Sequence, residues 1–261
     1  MLKAVREAKL HTSWINPNNA YEEALCYFIK ALFEDPEHNA FLTDFLPFQQ
    51  RIARYGLFNS LSHTLLKLTV PGIPDIYQGA ELWTFNLVDP DNRQPVDYNQ
   101  RRFALQTIIR QSEACEKLPD FARQLLEQID NGHAKLYLTW RTLMLRSQYP
   151  QLFEHGKYVS LAAQGAKADH VCAFARLFEE TEIIAVAVRE FTSLMLTDND
   201  LPIGHTIWED TMIKAPENGC EKKYRNVFTN EEVSNKTIGD QSYFYAADIL
   251  NSFSVGLLVG E

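Results

Sequence analysis

Acidic, amide and aromatic side chains are concentrated in the 25 residues from Pro74 to Tyr98. Five of these residues are carboxylates: Asp75, Glu81, Asp89, Asp91 and Asp97. The aromatic, amide and cationic side chains of this segment include Tyr77, Gln78, Trp83, Phe85, Asn92, Arg93 and Tyr98. Carboxylates and amides exchange hydrogen bonds with hydroxyl groups, and aromatic rings offer a large apolar face. This composition suits a binding site for a polyol such as a sugar.

Glycosidic chemistry adds a distance requirement to this composition. It needs two carboxyl groups about 5–5.5 Å apart for retention, or about 6.5–9.5 Å apart for inversion. Glu81 together with Asp89 or Asp91 could form such a pair. Residues 89–95, DPDNRQP, also have the composition of a turn throughout, because Asp and Asn side chains hydrogen-bond to nearby backbone. On residue chemistry alone, a turn and a sugar site therefore both stay open.

Other sequence signals are weaker. The seven histidines are scattered without an HExxH motif, and no GxSxG, GxGxxG or phosphate-binding loop occurs. We therefore expect neither a metal nor a cofactor. Residues 6–17, REAKLHTSWINP, are as compatible with a solvated helix end as with a ligand contact.

The first 150 residues or so are predicted to be mostly helical. A helix should begin near Asn19, and a longer one carries Phe41, Phe45, Phe48 and Ile52 at spacings of four, three and four. Its leucine-rich continuation should end at Pro71, because proline disfavours helix at the residue before it. Residues 73–77, IPDIY, are short and apolar enough for a buried strand, and a glycine turn should follow it.

From about residue 158 the pattern changes to alternating β-branched and aromatic residues, which predicts short antiparallel strands. The helical half by contrast offers one convincing strand. Helices with apolar faces of this extent normally cover a sheet, and one strand cannot supply a parallel sheet. A sheet partner for the helices is therefore missing from this sequence.

Composition narrows the class of protein. The formal net charge of −9, without a basic block, argues against nucleic-acid and anionic-membrane surfaces. Four widely spaced cysteines fit reduced thiols in the cytoplasm. The charged N-terminal segment is unlike a signal peptide, and no apolar run reaches the roughly 20 residues of a membrane span.

Residues 71–81, PGIPDIYQGAE, resemble the eighth-strand region of the α-amylase superfamily, glycoside hydrolase family thirteen, where the pattern G-x-P-x-I-Y-x-G-x-E recurs. Residues 1–24, 56–83 and 87–98 further resemble the malto-oligosyltrehalose synthase branch of that superfamily. Residues 149–161, 170–176 and 208–211 extend this similarity into the C-terminal half.

The resemblance implies an α+β fold for this chain. Residues 1–155 would form the C-terminal end of a (β/α)8 barrel, mostly helices plus the last barrel strand. Residues 156–261 would form an antiparallel β-sandwich domain. The sheet that the helices lack would then be the other strands of the barrel.

The resemblance also implies a reaction, an intramolecular transglucosylation. It would convert the reducing-end α-1,4 linkage of a malto-oligosaccharide into an α,α-1,1 linkage. The family mechanism is retaining, with a carboxylate nucleophile, a carboxylic acid/base and a third carboxylate. These three belong to barrel strands four, five and seven, whose segments are absent here. No catalytic residue is therefore assigned, and the chain alone is expected to be inactive.

The loop after strand eight of such a barrel lies on the catalytic face. The resemblance therefore implies substrate-binding or site-supporting roles for Tyr77, Gln78, Glu81, Asp89, Asp91, Asn92 and Arg93. Gln94 departs from the family, where a second arginine is expected. The implied partners are an α-glucan and, as a separate chain, the N-terminal part of the same enzyme. The alternative is a non-catalytic module that binds α-glucan or a partner protein.

Overall fold

The computed structural model describes residues 1–35, 37–86, 92–195, 197, 200–216 and 222–260. The chain is divided into two compact units. The first unit comprises Met1–Ala53 and Thr84–Val96. The second unit comprises Arg54–Trp83 and Asp97–Glu261.

The first unit is helical. It contains α1 (Leu2–Ala8), α2 (Asn19–Leu32) and the beginning of α3 (Ala40–Thr69). Helix α2 begins where predicted, and its N-cap is Asn18, whose side-chain oxygen accepts a hydrogen bond from Tyr21 N at 3.2 Å. This bond satisfies one of the amide groups that a helix N-terminus leaves without an intrahelical partner.

Helix α3 continues from the first unit into the second. The sequence predicts an interruption at Gly56, but the helix runs through both Pro47 and Gly56 over 30 residues. In its second half Leu57, Leu61, Leu65 and Leu68 are buried, so packing outweighs the low helix propensity of glycine. The helix ends at Thr69, as Pro71 predicts.

Among the described residues of the second unit, four further α-helices precede the strands: α4 (Tyr98–Ala114), α5 (Leu118–Glu127), α6 (His133–Gln148) and α7 (Pro150–His155). Three short helices follow within the strand region: α8 (Phe191–Leu194), α9 (His205–Trp208) and α10 (Ala246–Ile249). The pattern of residues 205–213, HTIWEDTMI, predicts a strand, but its first four residues form helix α9.

The strands are β1 (Lys157–Leu161), β2 (Ala163–Gln164), β3 (Val171–Phe178), β4 (Thr181–Val188), β5 (Met212–Lys214), β6 (Lys223–Asn226), β7 (Glu232–Ser234), β8 (Lys236–Ile238), β9 (Gln241–Tyr245) and β10 (Gly256–Gly260). They form a six-stranded sheet in the order β1-β3-β4-β10-β6-β7 and a four-stranded sheet in the order β2-β5-β9-β8. Each pairing observed among the described strands is antiparallel. The fold is therefore a mixture of helices and antiparallel sheet, while the barrel and sandwich assignments stay predictions.

One hydrophobic core of the second unit unites helices and sheet. It includes Leu61 of α3, Leu126 of α5 and Val186 of β4, all fully buried. The secondary structure changes from helices to strands at the predicted boundary between residues 155 and 156, but the compact units do not divide there. The domain boundary stays a prediction.

The described residues include no helix that is long and apolar enough to span a membrane.

Candidate functional site

The segment between α3 and α4 contains three of the predicted site residues, Tyr77, Gln78 and Glu81. Proline at position 71 ends α3, and Gly72 follows with a φ of 119°, a conformation that other residues rarely adopt. Residues 73–77 are not a strand, so the predicted strand is not formed in this chain. The physical reason is that a strand requires a hydrogen-bonded neighbour, and the described residues offer this segment none.

Tyr77, Gln78 and Glu81 lie on or next to one tight turn. Ala80 N donates a hydrogen bond to Tyr77 O at 3.0 Å, and Gly79 in the turn has a φ of 86°. The Tyr77 side chain is 49% exposed, and Gln78 is exposed as well. Both side chains are thus accessible to a ligand.

Glu81 is held by an arginine that the sequence interpretation missed. Arg101 Nε donates to Glu81 Oε2 at 3.0 Å, and both side chains are less than one-third exposed. The same guanidinium donates to Gly79 O at 2.8 Å and Asp97 O at 3.2 Å. Arg101 therefore ties the turn to the start of α4, and Glu81 acts here as an anchor of the turn.

A second set of contacts fixes the end of this segment. Trp83 Nε1 donates to Ile129 O at 2.6 Å, and the Lys135 ammonium lies 5.3 Å from the centre of the Trp83 ring. Burial lowers the pKa of Lys135, and the positive charge of Lys67 lowers it further. The negative charge of Glu81 partly offsets these two effects by raising the pKa. Gly132 packs so closely that an added Cβ would lie 3.2 Å from Trp83 N, and its φ is 79°.

Two further arginines hold the C-terminal end of α3. The buried Arg176 of β3 donates to Thr69 O at 3.2 Å and to carbonyl oxygens at the end of α7. Its Nη2 donates to Leu152 O at 3.1 Å and Phe153 O at 3.0 Å. Gly156 O, just after α7, accepts from Nη2 at 3.0 Å and from Nε at 3.2 Å. Arg146 of α6 donates to Leu68 O at 2.7 Å. The helix end from which the predicted site begins is thus fixed by residues far away in sequence.

The remaining predicted site residues are not in this unit. Asn92 and Arg93 belong to the first unit, and Asp89 and Asp91 lie outside the described residues. Arg93 is exposed. Among the described residues, the buried Asn92 Oδ1 has no hydrogen-bond partner.

The first unit contains one well-defined polar cluster. Glu22 is buried, and it accepts hydrogen bonds from Arg6 Nε at 2.8 Å and Thr12 Oγ1 at 2.6 Å. These bonds, with Arg6 the larger cause, lower the pKa of Glu22 to about 2. Arg6 also lies 5.0 Å from the ring of Trp14, whose Nε1 donates to Glu7 Oε1 at 2.9 Å. The cluster links α1, the following loop and α2, which matches the helix-end interpretation of residues 6–17.

The described parts of the chain contain no group of three or more His, Cys, Asp or Glu side chains that could hold a metal. What the turn offers is hydrogen-bonding and aromatic surface. Sequence patterns identified the turn but missed Arg101, Arg146 and Arg176, because nothing local connects an arginine with a carbonyl group dozens of residues away.

Comparisons with known proteins identify the relatives of the chain. It is 34% identical over 215 residues to a protein that bears the provisional name maltooligosyl trehalose synthase in two strains of Mycobacterium tuberculosis. The match covers 82% of this chain but 23% of each relative. No protein-family profile matches the chain.

Solved structures agree with this result. The maltooligosyltrehalose synthase of Arthrobacter ramosus is 30% identical, with a TM-score of 0.73, and a point mutant of the same synthase gives a TM-score of 0.74. The alignment covers all of this chain and 29% of the Arthrobacter protein. The chain is therefore homologous to the maltooligosyltrehalose synthases and matches only part of their length, consistent with a C-terminal portion.

Proposed function

We propose that this chain is the C-terminal portion of a maltooligosyltrehalose synthase and contributes to its substrate site without carrying its catalytic carboxylates. The complete enzyme would convert the reducing-end α-1,4 linkage of a malto-oligosaccharide into an α,α-1,1 linkage by intramolecular transglucosylation. The chain alone would be inactive. The observation that carries this proposal is similarity along 82% of the chain to proteins of which it spans 23%.

The turn at Tyr77–Ala80 supports a role beside the substrate. In a complete barrel, residues 73–77 would gain neighbouring strands and become the last strand, and the turn would follow at its carboxyl end. Tyr77 and Gln78, which are exposed, would contact sugar. Glu81, which is bonded to Arg101, would support the turn.

The segment from Asp89 to Arg93 would contribute further substrate contacts of its own. The side-chain amide of Asn92 would exchange hydrogen bonds with sugar hydroxyl groups. Asp89, Asp91 and Arg93 are assigned here by resemblance to the family. They would add hydrogen bonds to hydroxyl groups of the glucan.

Activity assays on two proteins test this proposal. The first is the chain alone, and the second is a chimaera in which it replaces the matching 29% of the Arthrobacter ramosus synthase. Incubated with maltopentaose, the chimaera should form a non-reducing, trehalose-ended product and the chain alone should form none. Product formation by the chain alone would overturn the claim that the catalytic carboxylates lie elsewhere.

The second candidate function is a non-catalytic module that binds α-glucan, and the exposed Tyr77 and Gln78 favour it. This function predicts that the chain alone binds maltodextrin in calorimetry. Tyr77→Ala should then weaken binding about five- to thirtyfold, because one aromatic contact with a ligand is worth roughly 1–2 kcal/mol. Tyr158→Ala, at a tyrosine that is 47% exposed on β1, is the matched control. An inactive chimaera together with tight maltodextrin binding would favour the module over the enzyme.

A further inference from the structure

The first unit buries very little apolar surface. Among its described residues, the buried side chains are Thr12, Glu22 and Leu42, and only Leu42 is apolar. Two or three helices are marginal in water unless an apolar face is packed against something. The first unit therefore lacks the apolar contacts that would normally stabilise helices of this length.

Its apolar residues are instead exposed along one side of α3. We call Phe41, Phe45, Phe48 and Ile52 the α3 stripe; their exposed fractions are 44%, 40%, 51% and 47%. Spacings of four, three and four residues bring all four side chains to one face of the helix. The rings of Phe41 and Phe45 stack with their centres 5.2 Å apart and their planes at 11°.

The stripe carries no charge of its own, and the arginine beside it does not interrupt it. The Arg51 guanidinium lies 6.0 Å from the centre of the Phe48 ring, so the aromatic face accommodates this cation at its margin. Contiguous exposed apolar surface of this kind is rare on monomeric soluble proteins and marks an interface. A partner that covers the α3 stripe would need an apolar protein surface that packs along the helix.

The extent of the similarity to known proteins identifies the occupant. The chain matches 23% and 29% of the relatives' lengths, so about three quarters of each relative lies outside the matching part. We propose that the α3 stripe is the docking face for that remaining part of the enzyme, supplied by the same or a separate polypeptide. This inference rests on the proposed function, and it specifies which surface of the chain the rest of the barrel covers.

Thiol labelling tests the stripe independently of activity. Phe45→Cys and Phe48→Cys are prepared in the isolated chain and in the chimaera with the Arthrobacter ramosus synthase. The rate of reaction with a thiol reagent is followed for each cysteine by peptide mass spectrometry. Gln50→Cys, on the opposite side of the same helix and exposed, is the matched control. The native Cys172, which is exposed on β3, is a second reference within each sample.

The stripe cysteines should react rapidly in the isolated chain and at least about tenfold more slowly in the chimaera, because thiol reactivity follows access. Gln50→Cys should change less than they do. Equal rates for the stripe cysteines in an active chimaera would overturn the inference while leaving the proposed function intact. Protected stripe cysteines in an inactive chimaera would support the inference and count against the proposed function.

Two further outcomes would identify a different occupant and also overturn the inference. Protection in the isolated chain that increases with protein concentration would indicate a second copy of the chain. Protection that does not depend on concentration would indicate that the chain covers the stripe itself. The charged double variant Phe45→Glu/Phe48→Glu provides an independent measurement: it should lower the melting temperature of the chimaera more than that of the isolated chain.

Discussion

The Glu81 carboxylate accepts a hydrogen bond from Arg101, whose guanidinium also donates to Gly79 O and Asp97 O. This bond gives Glu81 a structural role in the chain, because its carboxylate helps to hold the turn. A planar guanidinium suits this task because it presents several donors in a fixed geometry. Glu81, which the sequence analysis selected as a possible site residue, is thus a structural partner of Arg101, which that analysis did not select.

Replacing Arg101 with methionine should destabilise the second unit by about 1–3 kcal/mol, because it leaves the Glu81 charge and the Gly79 carbonyl without their donor. Urea denaturation measures this change. Arg102→Met is the control, because Arg102 is the exposed next residue of the same helix. Equal losses for the two variants would contradict the anchoring role.

Glu22 predicts a pH dependence of the first unit. Its pKa is lowered to about 2 by Arg6 and Thr12, against a usual value of 4.5. A lowered pKa in the folded state means that the carboxylate stabilises the fold above pH 4.5, and that this contribution is lost as the pH falls toward 2. The difference in unfolding free energy between wild type and Glu22→Gln should be constant above about pH 5.5 and should shrink below about pH 4.5. A difference that does not change with pH would contradict this prediction.

The elements around the candidate site are joined at their ends. Arg176 of β3 brings together the last carbonyl of α3 and the carbonyls that end α7. Helix C-termini leave carbonyl oxygens without intrahelical partners, and a buried cation satisfies several at once. Burial, with the nearby Arg146 as a smaller cause, lowers the pKa of Arg176. The strand region therefore positions the segment that begins at Val70.

Arg176→Met should cost about 2–4 kcal/mol of stability, because several buried carbonyl groups lose their donor together. Hydrogen exchange of residues 70–78 should accelerate in the same variant. Arg123→Met, which removes one exposed hydrogen bond of 3.4 Å to Asn251 O, is the control and should change little. An unchanged exchange rate at residues 70–78 would show that Arg176 stabilises the core without positioning the site.

Secondary structure was predicted correctly where the local sequence pattern determines the element, and wrongly where pairing with another strand determines it. Helix α2 and strand β3 form where their local sequence patterns predict a helix and a strand. Strand β10, GLLVG, was missed because its glycines weaken the pattern, although it pairs with both β4 and β6. Residues 73–77 show the opposite case: their composition suits a strand, but the described residues supply no neighbouring strand to form one.

The two compact units differ in how much apolar surface they bury. The second unit has a continuous core around Phe58, Tyr137 and Phe253, each fully buried, whereas Leu42 is the one buried apolar residue among those described in the first. Stability within a protein follows such differences in packing. The first unit is therefore expected to open more readily than the second in the isolated chain.

Native-state hydrogen exchange of the whole chain measures this difference. Amides of α2 should exchange at least about a hundredfold faster than those of β3 and β4, because local opening depends on buried contacts. In the chimaera, exchange at α2 and at the first half of α3 should slow, while exchange in the sheet stays the same. Equal protection of both units in the isolated chain would contradict the expectation.

The sequence by itself determined the helical first half, the short strands after residue 157, the tight turn near Tyr77 and the resemblance to the malto-oligosyltrehalose synthase branch. These features depend on local periodicity, on proline and glycine, and on motifs of adjacent residues. The apolar stripe on α3 was also visible in the sequence, together with the conclusion that its helices lack a sheet partner.

Only the tertiary structure decided what holds these features in place. It assigned Arg101 to Glu81 and Arg176 to the ends of α3 and α7, and it left the α3 stripe exposed. Arg176 and Thr69, for example, are 107 positions apart. No local preference encodes such pairings, because they depend on how the whole chain packs.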